Sequence, residues 1–264
     1  MAGPTTAERG ARQQESSGPP LLRRWRPPRL RKIIILALVL TALGAGIGWL
    51  LYGSQWTRVE RVTVSGTRVL SPAQVRDVAD VPAGAPLVSV DTDGIEARLR
   101  RELPRIDGVQ VVRSWPHDIG LEVTERTPVL VVERGSAFVE VDDEGVRFAT
   151  VSEAPKGVPL LQLTTSRSGS AAASHRRFGE SRLVREAVRV AGAVPAAVAR
   201  QTRVVKVGSY DDISLELSGG RTVAWGSGEK GQAKARTLTA LMKAAPGARH
   251  FDVSVPTAPA SSGS

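Results

Sequence analysis

The stretch GVQVVRSWPHDIGLEVTE, Gly108–Glu125, decides the fold because it contains two alternating runs around a turn. In the second run, Ile119, Leu121 and Val123 alternate with Gly or polar residues, so one face of that run is predicted to be buried. Pro116-His117-Asp118 separates the runs and supplies the turn. The stretch therefore predicts two antiparallel strands joined as a hairpin.

Upstream of the hairpin, the sequence predicts one strand and two helices. The run Arg58–Gly66 alternates apolar and polar residues and ends in glycine, which predicts a strand followed by a turn. Ser71 followed by Pro72 is a typical helix N-terminus, and Asp91 can cap a second helix, which Pro104 ends. The resulting order is strand, helix, helix, strand, strand, in which two helices can cover one face of a three-stranded sheet.

This region contains five short motifs, which in combination are specific enough to indicate a protein family. They are V-x-G at Val64–Gly66, Gly84-x-x-Leu87, Val90-Asp91, Arg113-x-Trp115-Pro116 and Glu125-Arg126-Thr127-Pro128. The region resembles the FtsQ-type POTRA domain of the FtsQ/DivIB cell-division family, and the resemblance to that family extends from Arg58 to about Ser254. Taken singly, each motif also has a structural interpretation: Pro116 shapes the turn, Trp115 packs on the sheet, and Arg126 solvates a strand end.

The resemblance implies an α+β protein: a single N-terminal transmembrane helix at 33–53, a β-α-α-β-β POTRA domain at 57–126 and a second, mixed α/β domain at 127–256. The sheet of the second domain is expected to be mainly antiparallel. We predict disordered termini at 1–32 and 257–264, because both are rich in small, polar or proline residues. Residues 164–180 are predicted to form a polar loop.

The membrane segment is the uncharged run IIILALVLTALGAGIGWLLYG, residues 33–53. As a helix it would extend about 31 Å, enough for a hydrocarbon core of about 30 Å. A cleaved signal peptide is the alternative, but the run is too long and no A-x-A site precedes Trp56. Basic residues crowd the N-terminal flank, which predicts a cytoplasmic N-terminus and a single-pass type II protein of the bacterial plasma membrane, at the division septum. The predicted flanking residues are Arg29, Arg31, Lys32, Trp49, Tyr52 and Trp56.

The predicted partner site is the last strand. The resemblance implies that the C-terminal strands of the second domain bind division proteins of the FtsB and FtsL type. The site residues are Phe251, Asp252, Val253, Ser254 and Val255. Phe251, Val253 and Val255 alternate toward the core, so an extended partner would pair with the backbone of an open edge. The prolines at 256 and 259 make that edge short.

The loop GSGEKG, Gly226–Gly231, matches both G-x-G-x-x-G and S-x-x-K. A dinucleotide site needs a parallel β-α-β unit, whereas Ser218-Gly-Gly220 predicts that the strand before the loop is antiparallel to its neighbour. An acyl-enzyme needs K-T-G and S-D-N motifs, and both are absent. With no cysteine and three scattered histidines, the sequence predicts no catalytic site, no cofactor and no metal site.

The predicted function is therefore a divisome scaffold that recruits and regulates septal peptidoglycan-synthesis proteins, with membrane lipid as a further partner. Three alternatives remain: an anchored assembly or chaperone factor with a POTRA module, an anchored cell-wall enzyme, and a DNA-binding membrane protein. Nucleic acid is not predicted as a partner. Although the net charge is +10, residues 1–32 carry eight of the basic residues and only two acidic ones.

Overall fold

The computed structural model describes residues 28–164, 177 and 179–263, which fall into two compact units, one up to Gly53 and one from Ser54 onward. The first 27 residues of the predicted N-terminal tail lie outside the described residues. Most of the predicted polar loop, residues 165–176 and 178, and the terminal Ser264 also lie outside them.

The first unit contributes one helix, α1, Pro28–Gly53. It begins five residues before the predicted start at Ile33, so Arg29, Arg31 and Lys32 belong to the helix and not to a disordered tail. Arginine and lysine are good helix formers, and proline suits the first helical position, so the helix continues beyond the apolar run. The helix segment Arg29–Gly53 contains an 18-residue window with a mean hydropathy of 2.4 and is long and apolar enough to cross a membrane.

The second unit begins with a small sheet and two helices, which together confirm the predicted β-α-α-β-β order. The strands are β1 (Arg61–Ser65), β2 (Ile106–Ser114) and β3 (Asp118–Glu125), and the helices are α2 (Pro72–Ala79) and α3 (Thr92–Glu102). Spatially the order is β1-β3-β2, with β1 parallel and β2 antiparallel to the central strand.

Local sequence signals explain both helix starts. The Ser71 hydroxyl accepts a hydrogen bond from the Gln74 N–H, and the Gln74 side chain accepts one from the Ser71 N–H, which closes a capping box. The Asp91 carboxylate accepts from the Gly94 N–H at the start of α3. The helices bury one face against the sheet. The buried residues include Val75, Ala79, Ile95, Leu99, Ile119 and Leu121.

A nine-stranded, mainly antiparallel sheet follows. Its strands are β4 (Leu130–Arg134), β5 (Ala137–Val141), β6 (Arg147–Val151), β7 (Leu160–Leu163), β8 (Thr202–Ser209), β9 (Asp212–Leu217), β10 (Thr222–Ala224), β11 (His250–Asp252) and β12 (Ala260–Ser262). The spatial order is β12-β11-β10-β9-β8-β7-β4-β5-β6. Among these described strands, the parallel pairs are β4–β7, β7–β8 and β10–β11.

Between Glu180 and Gly263, three α-helices accompany this sheet: α4 (Glu180–Ala193), α5 (Ala196–Ala199) and α6 (Gly231–Ala244). Leu183, Val184 and Ala187 of α4 are buried in the same core as Phe251 of β11 and Trp225, which follows β10. The described chain therefore contains two cores, one under each sheet.

Candidate protein-interaction site at the C-terminal edge

The predicted partner strand is not an open edge. β11 lies between β10, which is parallel to it, and β12, which is antiparallel to it. Phe251 is opposite Val223 on one side and Ser261 on the other. The covering strand comes from residues 257–264, which we predicted to be disordered. Pro256 and Pro259 argued against a strand in this segment. The three residues after Pro259 are not proline, however, and their backbone N–H groups suffice for a short strand.

The side chains of the predicted site divide between core and surface. Phe251 and Val253 are buried, whereas Asp252 and Ser254 are exposed, as the alternation predicts. Val255 departs from the pattern and is 54% exposed, because the strand ends at Asp252 and the chain turns there. The Asp252 carboxylate accepts hydrogen bonds from the Ser254 N–H (2.9 Å) and hydroxyl (2.7 Å), which supports that turn.

β12 is an edge strand of the sheet and consists of small, exposed residues. Ala260, Ser261 and Ser262 are all exposed, so the strand adds no side chain to the core. The Arg249 N–H donates to the carbonyl oxygens of Ser262 (3.1 Å) and Gly263 (2.8 Å). Because Ser262 faces β11 and directions alternate along a strand, the Ser261 N–H faces away from the sheet. Ser261 thus provides an outward main-chain donor.

The glycine loop lies within a parallel β10-α6-β11 unit, which the sequence analysis did not predict. The turn at Ser218–Gly220 does make β10 antiparallel to β9, but β10 also pairs in parallel with β11 on its other side. No signal in the sequence between β10 and β11 predicts that these two strands pair. The topology required by a dinucleotide site is therefore present, and the contacts of the loop decide its role.

The chain itself fills the loop. The Gly228 N–H donates to the Glu186 carboxylate at 2.7 Å, where a phosphate would otherwise bind. A Cβ atom at Gly228 would lie 2.5 Å from that carboxylate, and one at Gly231 would lie 2.7 Å from the Ala193 Cβ. Two of the motif glycines therefore serve internal packing, which explains the motif without a ligand.

Lys234, on α6 and four residues after the lysine of the S-x-x-K match, also binds the interior of the loop. Its ammonium donates to the carbonyl oxygens of Trp225 (2.9 Å) and Ser227 (2.8 Å). Burial lowers the pKa of Lys234, while the charges of Glu229 and other nearby carboxylates oppose that shift. With both carbonyls engaged, Lys234 holds the loop that leads into α6.

A junction that the sequence analysis did not predict connects the POTRA domain to the larger sheet. Arg105 forms a 2.6 Å ion pair with Glu140, and both side chains are largely buried. Arg126 pairs with the buried Asp142 and, at 3.2 Å, with Asp107. Arg126, predicted to solvate a strand end, is thus part of a buried charge cluster.

The junction raises the pKa of Arg126. Burial alone would lower that pKa, but the hydrogen bond and negative charge of Asp142, together with the charge of Asp107, outweigh it. We call Arg105, Arg126, Glu140 and Asp142 the junction cluster. Its partners are separated by 35 and 16 residues in the chain, so no local pattern marks them.

The predicted membrane-flanking residues are all exposed. Arg29, Arg31 and Lys32 lie in the first turns of α1, and Trp49 and Tyr52 lie near its C-terminal end. Trp56 follows in a short 3-10 turn, Gln55–Thr57. Trp115, predicted to pack on the sheet, is instead 53% exposed at the turn between β2 and β3.

Comparisons with known proteins agree with this architecture. Residues 57–126 match the model of the FtsQ-type POTRA domain. The chain is 76% identical to the cell division protein FtsQ of Streptomyces coelicolor and 75% identical to that of Streptomyces collinus, each over 264 residues and the full length of both chains. It is 32% identical to FtsQ of Mycolicibacterium smegmatis, over 86% of this chain and 64% of the relative.

Proposed function

Because this chain belongs to the FtsQ family of cell division proteins, we propose that it is a bitopic scaffold of the bacterial divisome. It recruits and regulates septal peptidoglycan-synthesis proteins through protein contacts, without catalysis of its own. The observation that carries this proposal is similarity to FtsQ proteins along the entire chain, at up to 76% identity.

The proposed anchor is α1, with the N-terminus in the cytoplasm and the sheets outside. The charge distribution supports this orientation. Arg29, Arg31 and Lys32 precede an uncharged stretch from Ile33 to Thr57, and positive residues are retained on the cytoplasmic side. Trp49 and Tyr52 are exposed at the other end of α1, where aromatic side chains favour the lipid–water interface.

The proposed partner site is the C-terminal edge, formed by β11 and β12 and including the residues Phe251–Val255. A partner strand can reach it in two ways. It can add to the outward main-chain groups of β12, or it can displace β12 and pair with β11 directly. Phe251 and Val253 then act from the core, by holding β11 in position, while Asp252 and Val255 remain accessible.

Displacement is favoured by the composition of β12. Its three residues are small and exposed, so main-chain hydrogen bonds supply most of its attachment, at about 0.5–1.5 kcal/mol net for each. A longer partner strand with apolar side chains would gain additional contacts. We propose division proteins of the FtsB and FtsL type as these partners, and other septal synthesis proteins as further contacts of the exposed domains.

Imaging of a fluorescent fusion in growing cells tests the divisome role. We expect the fusion to concentrate at division septa. Uniform staining of the membrane throughout the division cycle would contradict the proposed function, even if the fusion is stable and full length.

Two variants distinguish the binding modes: a deletion of residues 257–264, and Ser261→Pro, which removes the outward N–H of β12. The readout is binding of the extracytoplasmic segment of the host's FtsB-type protein to the purified full chain. Addition to β12 predicts that both variants lose binding. Displacement predicts that the deletion strengthens binding and that Ser261→Pro does not weaken it.

The matched control is Thr150→Pro, because Thr150 is an exposed residue on β6, the strand at the opposite edge of the same sheet. This control should bind as the parent chain does. If the deletion and Ser261→Pro also leave binding unchanged, the C-terminal edge is not the partner site.

A further inference from the structure

The chain enters and leaves the POTRA domain at opposite poles. β1 begins with Arg61 opposite Asp118 and ends with Ser65 opposite Glu122. The turn between β2 and β3 therefore lies beside the start of the domain. We call this end the N-terminal pole; it comprises Trp56, Glu60, Arg61 and the turn Ser114–Asp118.

The other end of the sheet, the C-terminal pole, lies at Glu125. The Glu125 carboxylate accepts hydrogen bonds from the N–H groups of Arg68 (2.8 Å), Val69 (3.1 Å) and Leu70 (2.9 Å). Because β3 has seven steps from Asp118 to Glu125, the poles are about 23 Å apart at 3.3 Å for each residue. The junction cluster follows directly at Arg126, so the larger sheet attaches at this far pole.

Contacts fix the turn of the N-terminal pole to the first residues of the domain. The Glu60 N–H donates to the His117 carbonyl at 2.9 Å, and the Arg61 and Asp118 side chains form an ion pair at 3.5 Å. On β2, just before the turn, the Arg113 guanidinium donates to the carbonyls of Leu87 (3.1 Å) and Val90 (2.6 Å). The turn that carries Trp115 is therefore a fixed part of this pole.

Two large aromatic side chains project from the N-terminal pole into solvent. Between Ser54 and Gly263 the sequence has three tryptophans. Trp225 is completely buried, whereas Trp56 is 80% exposed and Trp115 is 53% exposed. Tryptophan combines an apolar ring with a polar N–H and is enriched where membranes meet water. The Arg61 side chain at the same pole is 69% exposed beside Asp118 and can pair with lipid phosphate groups.

Trp56 is close to the proposed anchor along the chain. Trp56 follows the last residue of α1, Gly53, by three residues, so it remains within about 10 Å of the helix end. Trp115 belongs to the same fixed pole as Glu60. We infer that the N-terminal pole docks on the outer leaflet of the membrane, with Trp115 as a second aromatic contact at the phospholipid headgroups. This docking rests on the proposed transmembrane anchor.

The chain has no cysteine, so a single introduced cysteine can carry an environment-sensitive fluorophore. We would place it at Ser114→Cys, next to an intact Trp115, in the full chain reconstituted in phosphatidylcholine/phosphatidylglycerol vesicles. The matched control is Val69→Cys, an exposed apolar position at the far pole. Tyr52→Cys reports on the anchor itself. The readout is quenching by nitroxide attached to the lipid headgroups.

We expect strong quenching at positions 52 and 114 and weak quenching at position 69. Adding Trp115→Ala to Ser114→Cys should remove most of the quenching at 114 without changing the melting temperature. If positions 114 and 69 are quenched equally while position 52 is quenched strongly, the proposed docking is wrong and the proposed transmembrane anchor still holds. Absence of quenching at 52 instead overturns the anchor.

Discussion

The junction cluster and the C-terminal edge both join segments that are separate in the chain, but they do so by different physical means. At the junction, buried side chains of opposite charge meet, such as Arg105 and Glu140. At the edge, β12 contributes three exposed small residues and main-chain hydrogen bonds. Removing one member of a buried ion pair is costly, whereas separating a short solvated strand is not. The contrast indicates a permanent joint at one end and an exchangeable one at the other.

For the proposed scaffold this contrast has a functional meaning. A fixed junction lets the POTRA domain and the larger sheet move as one body, so that the position of one determines the position of the other. An exchangeable edge allows a partner strand to bind without unfolding the core, since Phe251 and Val253 stay buried on β11. The following predictions test the two halves of the comparison.

The largest effect is expected at the junction. Arg105→Met leaves the Glu140 carboxylate buried without its cation, and we expect the free energy of unfolding to fall by about 3–5 kcal/mol. Urea unfolding of the detergent-solubilised chain measures this. The control is Arg61→Met, since the Arg61–Asp118 pair is solvent-exposed on the arginine side and should contribute about 1 kcal/mol or less. Equal effects of the two variants would contradict a buried, permanent junction.

A smaller loss is expected in the glycine loop. Lys234→Met leaves the carbonyl oxygens of Trp225 and Ser227 without their donor, at a cost of about 1–3 kcal/mol in the free energy of unfolding. Lys243→Met, at an exposed position on the same helix, is the matched control and should be neutral. A neutral Lys234→Met would mean that the loop is not held by the ammonium, and the internal role of the motif would be wrong.

Glu125 gives a pH-dependent test at the C-terminal pole. Burial raises its pKa, but hydrogen bonds from three backbone N–H groups outweigh that effect and lower the pKa below the ordinary 4.5. The folded state therefore gains stability above pH 4.5 and loses it as the pH falls through the lower, folded-state pKa. Glu125→Gln should cost about 1–2 kcal/mol at pH 7 and nothing below the folded-state pKa.

Urea unfolding of parent and variant across pH 2–7 measures this difference. A cost that stays constant across the range would show that the ionised carboxylate is not what stabilises the segment Arg68–Leu70.

The smallest effect is expected at the C-terminal edge. Deletion of residues 257–264 removes β12, but the ordering entropy of those residues offsets its main-chain hydrogen bonds. We expect the free energy of unfolding to change by less than about 1 kcal/mol, again from urea unfolding. A loss as large as that of Arg105→Met would show that β12 is a structural part of the sheet.

The sequence predicted the POTRA fold because its signals are local. Ser71-Pro72, Asp91 and the alternating run Ile119–Val123 each act within a few residues, and the helices and strands follow them. The start of α1 was missed because helix formation continues through Arg29–Lys32, where hydropathy changes but helix propensity does not.

The remaining errors involve pairings between distant segments. The junction cluster, the parallel pairing of β10 with β11, and the covering of β11 by β12 all depend on which segments meet in space. Alternation correctly placed Phe251 and Val253 in the core, but it could not show that Val255 lies beyond the end of the strand. The partner residues Phe251–Val255 remain a proposal.

Amide hydrogen exchange in the full chain tests the central contrast most directly. The Arg249 N–H bonds to Ser262 and Gly263 at the edge, and the Val129 N–H bonds to Val141, beside the junction, at 2.8 Å. Hydrogen-bond lengths are similar, so a difference in exchange reports the opening of each region. We predict that Arg249 exchanges through local opening, while Val129 exchanges only with global unfolding. Equal protection of the two amides, at the level of global unfolding, would contradict an exchangeable edge.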